Sequence, residues 1–216
     1  RLYTTNADGE LVTIDTTTNK ILSRKKVQDD GKEHFFLNLS LDTAGQRAFL
    51  TDSKQPEVLV VSLKDGSVME KIAAPESLAV LFNPARNEAY VTHREAGKVS
   101  VIDAKSYKVT KTFDTPVYPN SLALSADGKT LYGASEVEKG VVQAWRIGSN
   151  GELSELNQVA SGGAGPVYLS LTPDGRHLLV ANYVSGSIAV LPVKEDGNLG
   201  DAVDVRQDQG PAGAER

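Results

Sequence analysis

One short phrase, repeated along the chain, constrains its fold more than any other feature. Leu171–Asn182, Leu-Thr-Pro-Asp-Gly-Arg-His-Leu-Leu-Val-Ala-Asn, reads as the end of a strand, a tight turn and a second strand. Pro presets φ and Gly supplies φ > 0 between the two apolar runs. The same phrase recurs as Leu41–Asp52, Phe82–His93 and Leu124–Ser135, and its second half opens the chain as Arg1–Asn6. With Tyr3, Phe49, Tyr90, Tyr132 and Leu179 as equivalent anchors, the spacings are 46, 41, 42 and 47 residues. A period in this range, built from short β-rich runs with no long 3.6-residue periodicity, is that of propeller blades rather than helical solenoids.

Each unit resolves into strands. Unit two has four, near Phe35–Leu41, Arg47–Asp52, Val58–Leu63 and Val68–Ala73. Unit three has Leu78–Phe82, Glu88–His93, Val99–Asp103 and Val109–Phe113; unit four has Ser121–Ser125, Thr130–Ser135, Val141–Ile147 and Leu153–Val159. Unit five has Val167–Leu171, His177–Asn182, Ser187–Val193 and Ala202–Arg206. Unit one has three, Arg1–Asn6, Glu10–Asp15 and Ile21–Val27. The expectation is an all-β fold: a β-propeller of about five four-stranded blades forming one domain over 1–216, the first blade lacking its own innermost strand. No composition break or linker is left over. Blades packed radially bury both faces of each sheet, which accounts for runs more continuously apolar than strict alternation. The tail Gln207–Arg216 lacks the alternation of a strand. Either closure is therefore imperfect, or the open inner edge of unit one is covered by the tail or by another copy through strand addition.

A formal net charge of −5 argues against strong generic affinity for nucleic acid or anionic membrane. With no Cys there is no disulfide framework and no thiolate metal site, and the compartment stays open. No run approaches the roughly 18 apolar residues of a membrane span, and no signal peptide is read. Met69 is the only Met, so the N-terminus reads as processed, trimmed or designed.

The aligned repeats place Asn6, Asp52, His93, Ser135 and Asn182 at one register, each three residues past the anchor. A propeller gathers such positions on one rim, where they either cap strand ends and turn amides or face a ligand. Loops between units bring His34, Glu76, Tyr118 and Asn120 toward the same rim, and His34 and His93 form the best pair for acid/base work. The candidate ligand-binding rim is thus Asn6, His34, Asp52, Glu76, His93, Asn120, Ser135 and Asn182, with no catalytic set assigned. His177 starts a strand at the opposite end and reads as solvated. Ser161-Gly-Gly-Ala-Gly-Pro166 has neither the Lys nor the following helix of a phosphate loop. No spacing suggests zinc or calcium, so no metal or other cofactor is expected. Trp145, in an apolar strand, reads as inter-blade core. The sequon Asn38-Leu-Ser40 sits inside a strand and reads as accidental.

Two lineages are audible in the motifs. Arg1-Leu-Tyr-Thr-Thr-Asn6, Ala74–His93 and Ser121–Tyr132 closely resemble the YncE-like YVTN-repeat β-propellers of enteric bacteria, over residues 1–132. From about 133 onward, Gly162-Gly-Ala-Gly-Pro166, Pro173-Asp-Gly-Arg176, Leu179–Tyr183 and Ser185–Pro192 resemble the propeller lactonases related to 6-phosphogluconolactonase. The joint near Leu131–Gly133 coincides with a change from short outer turns (16–19, 64–67, 104–108) to longer loops (148–152, 194–200). We therefore expect an engineered or chimeric propeller scaffold without dedicated activity. The first resemblance implies instead a periplasmic binding propeller for a ligand or single-stranded DNA, with Tyr118 as a stacking platform. The second implies a cytoplasmic sugar-lactone hydrolase whose cleft draws His and Arg largely from later blades, through a Gly-Pro-His-x-His-type segment soon after the region that Gln209-Gly-Pro211 resembles. In that family the position of Tyr168 is often His.

Overall fold

The structure, a computed structural model, describes residues 1–210; the expectations that fall on 211–216 lie outside the described residues. Nineteen strands form five antiparallel sheets set around a common axis, with no helix among the described residues. Blade one is β1 (Leu2–Thr5), β2 (Glu10–Asp15) and β3 (Lys20–Lys26). Blade two is β4 (Phe36–Asp42), β5 (Arg47–Asp52), β6 (Glu57–Ser62) and β7 (Val68–Ala73). Blade three is β8 (Ser77–Asn83), β9 (Glu88–His93), β10 (Lys98–Asp103) and β11 (Lys108–Asp114). Blade four is β12 (Pro119–Leu124), β13 (Thr130–Ser135), β14 (Val141–Ile147) and β15 (Leu153–Ala160). Blade five is β16 (Pro166–Leu171), β17 (His177–Asn182), β18 (Ser187–Pro192) and β19 (Asp204–Gln207). Chain order is spatial order in every sheet, and blade one lacks the innermost strand that β4, β8, β12 and β16 supply elsewhere.

Strand limits move by a residue or two from the expectation at most ends. The clearest shift is the last strand, which begins at Asp204 rather than Ala202. The reason is a bridge between Val193 and Leu199 and a bond from Gly200 N to Pro192 O, which prolong the preceding loop. Each innermost strand carries a register irregularity near its start, at 36/38, 77/80, 119/122 and 166/168, which re-aims its side chains toward the axis.

Four apolar cores hold the blades in series. Leu11, Phe36 and Leu50 join blades one and two; Phe49, Val58, Phe82 and Val91 join two and three. Tyr90, Leu131 and Trp145 join three and four; Tyr132, Val142, Leu178 and Leu191 join four and five. The anchors of blades one to four all point into the following blade, so the repeat period is the period of this packing. Trp145 is inter-blade core, 5% exposed. Each such side chain contributes about 1.5–3 kcal/mol by leaving water.

Adjacent innermost strands are joined by side chains rather than by a ladder. Val80 N donates to Asn38 Oδ1 (3.0 Å), Phe82 N to Ser40 Oγ (2.8 Å) and Leu169 N to Ser121 Oγ (3.1 Å). Both polar residues of the sequon are thus engaged in holding blade two to blade three. On the opposite end, Arg47 pairs with Asp42 (2.8 Å) and donates to Ala104 O (2.6 Å) and Tyr107 Oη (2.7 Å), so one guanidinium satisfies groups on both blades.

Candidate functional site

The rim is built by a repeated backbone bond. The residue after each second strand donates its N–H to the loop that enters the blade: Ser53 to Phe35 O, Arg94 to Glu76 O, Glu136 to Tyr118 O and Tyr183 to Gly165 O. Three of these acceptor residues have left-handed backbones, Glu76 (φ 58°), Tyr118 (φ 56°) and Gly165 (φ 62°). The bond therefore fixes both loops of each blade on one face, which is where the aligned polar residues stand.

Their side chains serve different ends. Asp52 is buried; its Oδ1 accepts from Phe35 N (3.1 Å) and Lys54 N (2.9 Å), and its Oδ2 accepts from His34 Nδ1 (2.6 Å). His34 Nε2 donates to Asp30 Oδ1 (2.9 Å), and the ring lies over Phe36 at 6.0 Å between centroids. Burial pulls the His34 pKa down, but the hydrogen bonds and charges of Asp30 and Asp52 outweigh it and hold it above the ordinary histidine value. His34 in turn, with Lys32 N, holds the Asp30 carboxyl below its ordinary value. His93 is buried: Nδ1 donates to Pro75 O (2.8 Å), and Nε2 meets Ser100 Oγ (2.8 Å), itself 3.0 Å from Thr112 Oγ1. Asn6 bonds within its own loop, to Glu10 Oε2 and Glu10 N. Ser135 is buried at the end of β13. Asn182 Nδ2 donates to Ser161 O (3.2 Å) and Ser187 Oγ (3.2 Å), while its buried Oδ1 has no partner.

The rim residues are not gathered into one cluster. Blades two and three enclose a cleft of about 450 Å³ lined by Asp52, Lys54, Glu76, Ser77 and Arg94. Beside it, Arg94 pairs with Glu136 (3.2 Å) and Glu95 (2.6 Å) and lies 4.7 Å over the Tyr118 ring, and Asn120 Nδ2 donates to Glu136 Oε2 (2.9 Å). Arg94 thus covers one face of the Tyr118 ring by a cation–π contact, and the side chain stays 37% exposed. Asn120 also lines an axial cavity of about 340 Å³ with Leu37, Leu78, Val167 and Tyr168. Asn6 and Asn182 stand apart on the terminal blades. His177, the first residue of β17, is partly exposed.

Arg94, Glu136 and Asp30 complete this network and were not among the expected residues. Arg94 and Glu136 follow the aligned ring by one position, so opposite charges at one register in adjacent blades were the available signal. The glycines of 161–166 serve packing: a Cβ on Gly163 would lie 2.5 Å from the Ser185 and Ser187 hydroxyls and 2.7 Å from Asn182 Nδ2. Among the described residues, no three His, Asp or Glu side chains converge as a metal-ligand set.

Chemically, the rim offers cations, carboxylates and a cleft, but both histidine rings have each nitrogen committed to a protein partner. Residues 88–216 match the family model described as lactonase, 7-bladed beta-propeller. The chain belongs to that family. As a lactonase-family propeller it is 80% identical over 132 residues to the uncharacterized protein YncE of Salmonella typhimurium, covering 61% of this chain and 37% of that protein. It is 36% identical over 83 residues to the 6-phosphogluconolactonase of Bacillus subtilis, covering 38% of this chain and 24% of that enzyme. The chain thus spans well under half the length of these relatives. Among solved structures, a putative 6-phosphogluconolactonase from Bacteroides fragilis superposes with a TM-score of 0.75 at 18% identity, over 95% of this chain and 69% of that one, a likeness of fold. Both components read from the motifs, the YncE-like and the lactonase-like, are present.

Proposed function

We propose that the chain is a chimeric, engineered propeller scaffold in which YncE-like blades (1–132) and lactonase-like blades (133–216) share one continuous packing, and that it has no dedicated catalytic activity. The observation that carries the absence of catalysis is the state of the two rim histidines. Opening a lactone requires a polarised carbonyl and an activated water held together. A general base needs a nitrogen free to take the proton of that water. His34 spends both nitrogens on Asp30 and Asp52, and His93 spends both on Pro75 O and Ser100. The chimeric reading is supported by the fall in identity between the two sets of relatives, from 80% to 36%. A single natural gene encoding the whole sequence would overturn it.

Membership of the lactonase family favours a second reading, a sugar-lactone hydrolase. Hydrolysis of 6-phosphogluconolactone separates the two. The scaffold reading expects consumption no faster than spontaneous hydrolysis, unchanged in His34→Gln and His93→Gln. Turnover above background that is lost in either variant would establish the hydrolase.

A further inference from the structure

Blades two and three each have a neighbour on both faces, and the cleft of about 450 Å³ between their rim loops is built wholly from their own residues. Its volume lies within the roughly 300–1,000 Å³ of small-molecule sites. The repeat shows what is unusual there. The two residues that open each innermost strand are Phe35-Phe36 in blade two, Tyr118-Pro119 in blade four and Gly165-Pro166 in blade five, whereas in blade three they are Glu76-Ser77. All four pairs hold the same backbone place. The first residue of each accepts the N–H that follows the second strand, and the second stands opposite Asp52, His93, Ser135 or Asn182 in the sheet. The fold therefore asks for neither a carboxylate nor a serine hydroxyl at these positions, and blade three places both where the cleft is.

Ser77 lines the cleft and is 3% exposed, and its Oγ has no hydrogen-bond partner. A buried hydroxyl left unpaired is destabilising until something completes it. Glu76 beside it is exposed, its left-handed backbone (φ 58°) fixed by the bond from Arg94 N to its carbonyl. The other charges lining the cleft are already engaged: Lys54 pairs with Glu33 (3.4 Å), Arg94 faces both Glu95 (2.6 Å) and Glu136 (3.2 Å), and Asp52 accepts from His34 (2.6 Å). Glu76 belongs to none of these pairs, so the cleft keeps an uncompensated negative charge. Leu37, Pro56, Pro75 and Leu78 give it apolar walls, and no aromatic ring lines it.

We propose that this cleft binds a small primary alkylammonium compound, the ammonium donating to the Glu76 carboxylate and to Ser77 Oγ while the alkyl stem lies on Leu37 and Leu78. Each part of the ligand follows from the cleft. The unpaired carboxylate selects a cation, and the orphaned hydroxyl selects one that carries N–H donors. Without a ring the cleft lacks the aromatic cage that recognises quaternary ammonium groups, and its apolar walls favour a hydrocarbon stem over bare ammonium. The same group is carried by a free amine and by a lysine side chain, and the test separates the two.

Isothermal titration calorimetry of the full chain with n-butylammonium chloride tests this. Wild type should bind it about tenfold or more tightly than tetramethylammonium, 1-butanol or butyrate, and less tightly at high salt. Glu76→Gln, a change at an exposed position, should weaken binding by about tenfold or more. Ser77→Ala should weaken it by about threefold to tenfold without lowering Tm, because the hydroxyl removed had no partner to lose. A lysine capped at both ends that binds no more tightly than n-butylammonium assigns the site to a free amine, and tighter binding assigns it to a lysine presented by a peptide. The proposal is overturned by a wild type that does not bind n-butylammonium, by either variant binding it as tightly as wild type, or by butyrate binding as tightly as n-butylammonium.

Discussion

Gly133→Ala asks whether the two halves of the molecule are packed to the tolerance of a natural core. Gly133 lies in the middle of β13, paired with Leu122 and Gln143, at the junction that the proposed chimera implies. Its backbone is not left-handed, so alanine meets no φ penalty, and glycine to alanine in a strand would otherwise stabilise by roughly 0.5–1 kcal/mol. Space decides the sign. The added Cβ would stand 2.7 Å from Trp145 Cζ3, 2.9 Å from Cη2 and 3.5 Å from Leu122 Cδ2. The indole is held among Tyr90, Leu131 and Ile147 and cannot swing away, so overpacking at roughly 1–3 kcal/mol outweighs the chain-entropy gain. We expect a net loss of about 1–2 kcal/mol, or about 2–8 °C in Tm for a domain of this size. Urea unfolding should show a lower midpoint at constant m-value. In a Trp145→Leu background the added methyl has room, and the same change should be neutral or stabilising, a coupling of about 1 kcal/mol or more. A stabilising Gly133→Ala in the wild type, or an equal cost in both backgrounds, would refute the packing.

Arg47→Lys should cost about 1–3 kcal/mol in urea unfolding, because an ammonium cannot serve Asp42, Ala104 O and Tyr107 with the geometry of the guanidinium; a change within error would show that the bridge is ornamental. The His34 pKa is raised, so its ion pairs stabilise fully below the unfolded value of 6.5, and that contribution is lost as pH rises through the higher folded value. Wild-type stability should therefore decline from neutral to mildly alkaline pH more steeply than that of His34→Gln, and parallel profiles would contradict the pairing. The Asp30 carboxyl, held below its usual value, acts in the opposite sense and loses its contribution on acidification. Gly163→Ala should destabilise by about 1–3 kcal/mol through the Ser185 and Ser187 hydroxyls 2.5 Å from the new carbon, read as a lower Tm, whereas an unchanged Tm would mean the loop yields freely.

The blades were legible because their signal is local and repeated. A turn phrase and an anchor every forty-odd residues determine two strands each time, and the remaining strands follow from spacing. The rim was legible only as a register. Strand ends place Asp52, His93, Ser135 and Asn182 on one face, but whether a polar side chain faces a ligand or a neighbour depends on contacts between blades. His34 illustrates this: its partners are Asp30, four residues earlier, and Asp52, across the blade, a three-body arrangement that no single repeat displays. Arg94 and Glu136 were hidden because the position after the ring has no shared chemistry across Ala7, Ser53, Arg94, Glu136 and Tyr183. The terminal faces were hidden for a related reason. Leu179 and Leu2 resemble their buried counterparts in sequence, and their exposure within residues 1–210 shows only once the blades are assembled.

Trp145 is the only tryptophan and sits in the core between blades three and four, where the proposed chimera would be joined, which makes it a direct reporter on whether five blades act as one packed unit. Equilibrium unfolding followed at once by its fluorescence and by far-ultraviolet circular dichroism should give a single transition with coincident midpoints. An indole signal lost well before the β-sheet signal would mean that the halves fold independently and that the shared core does not hold them together.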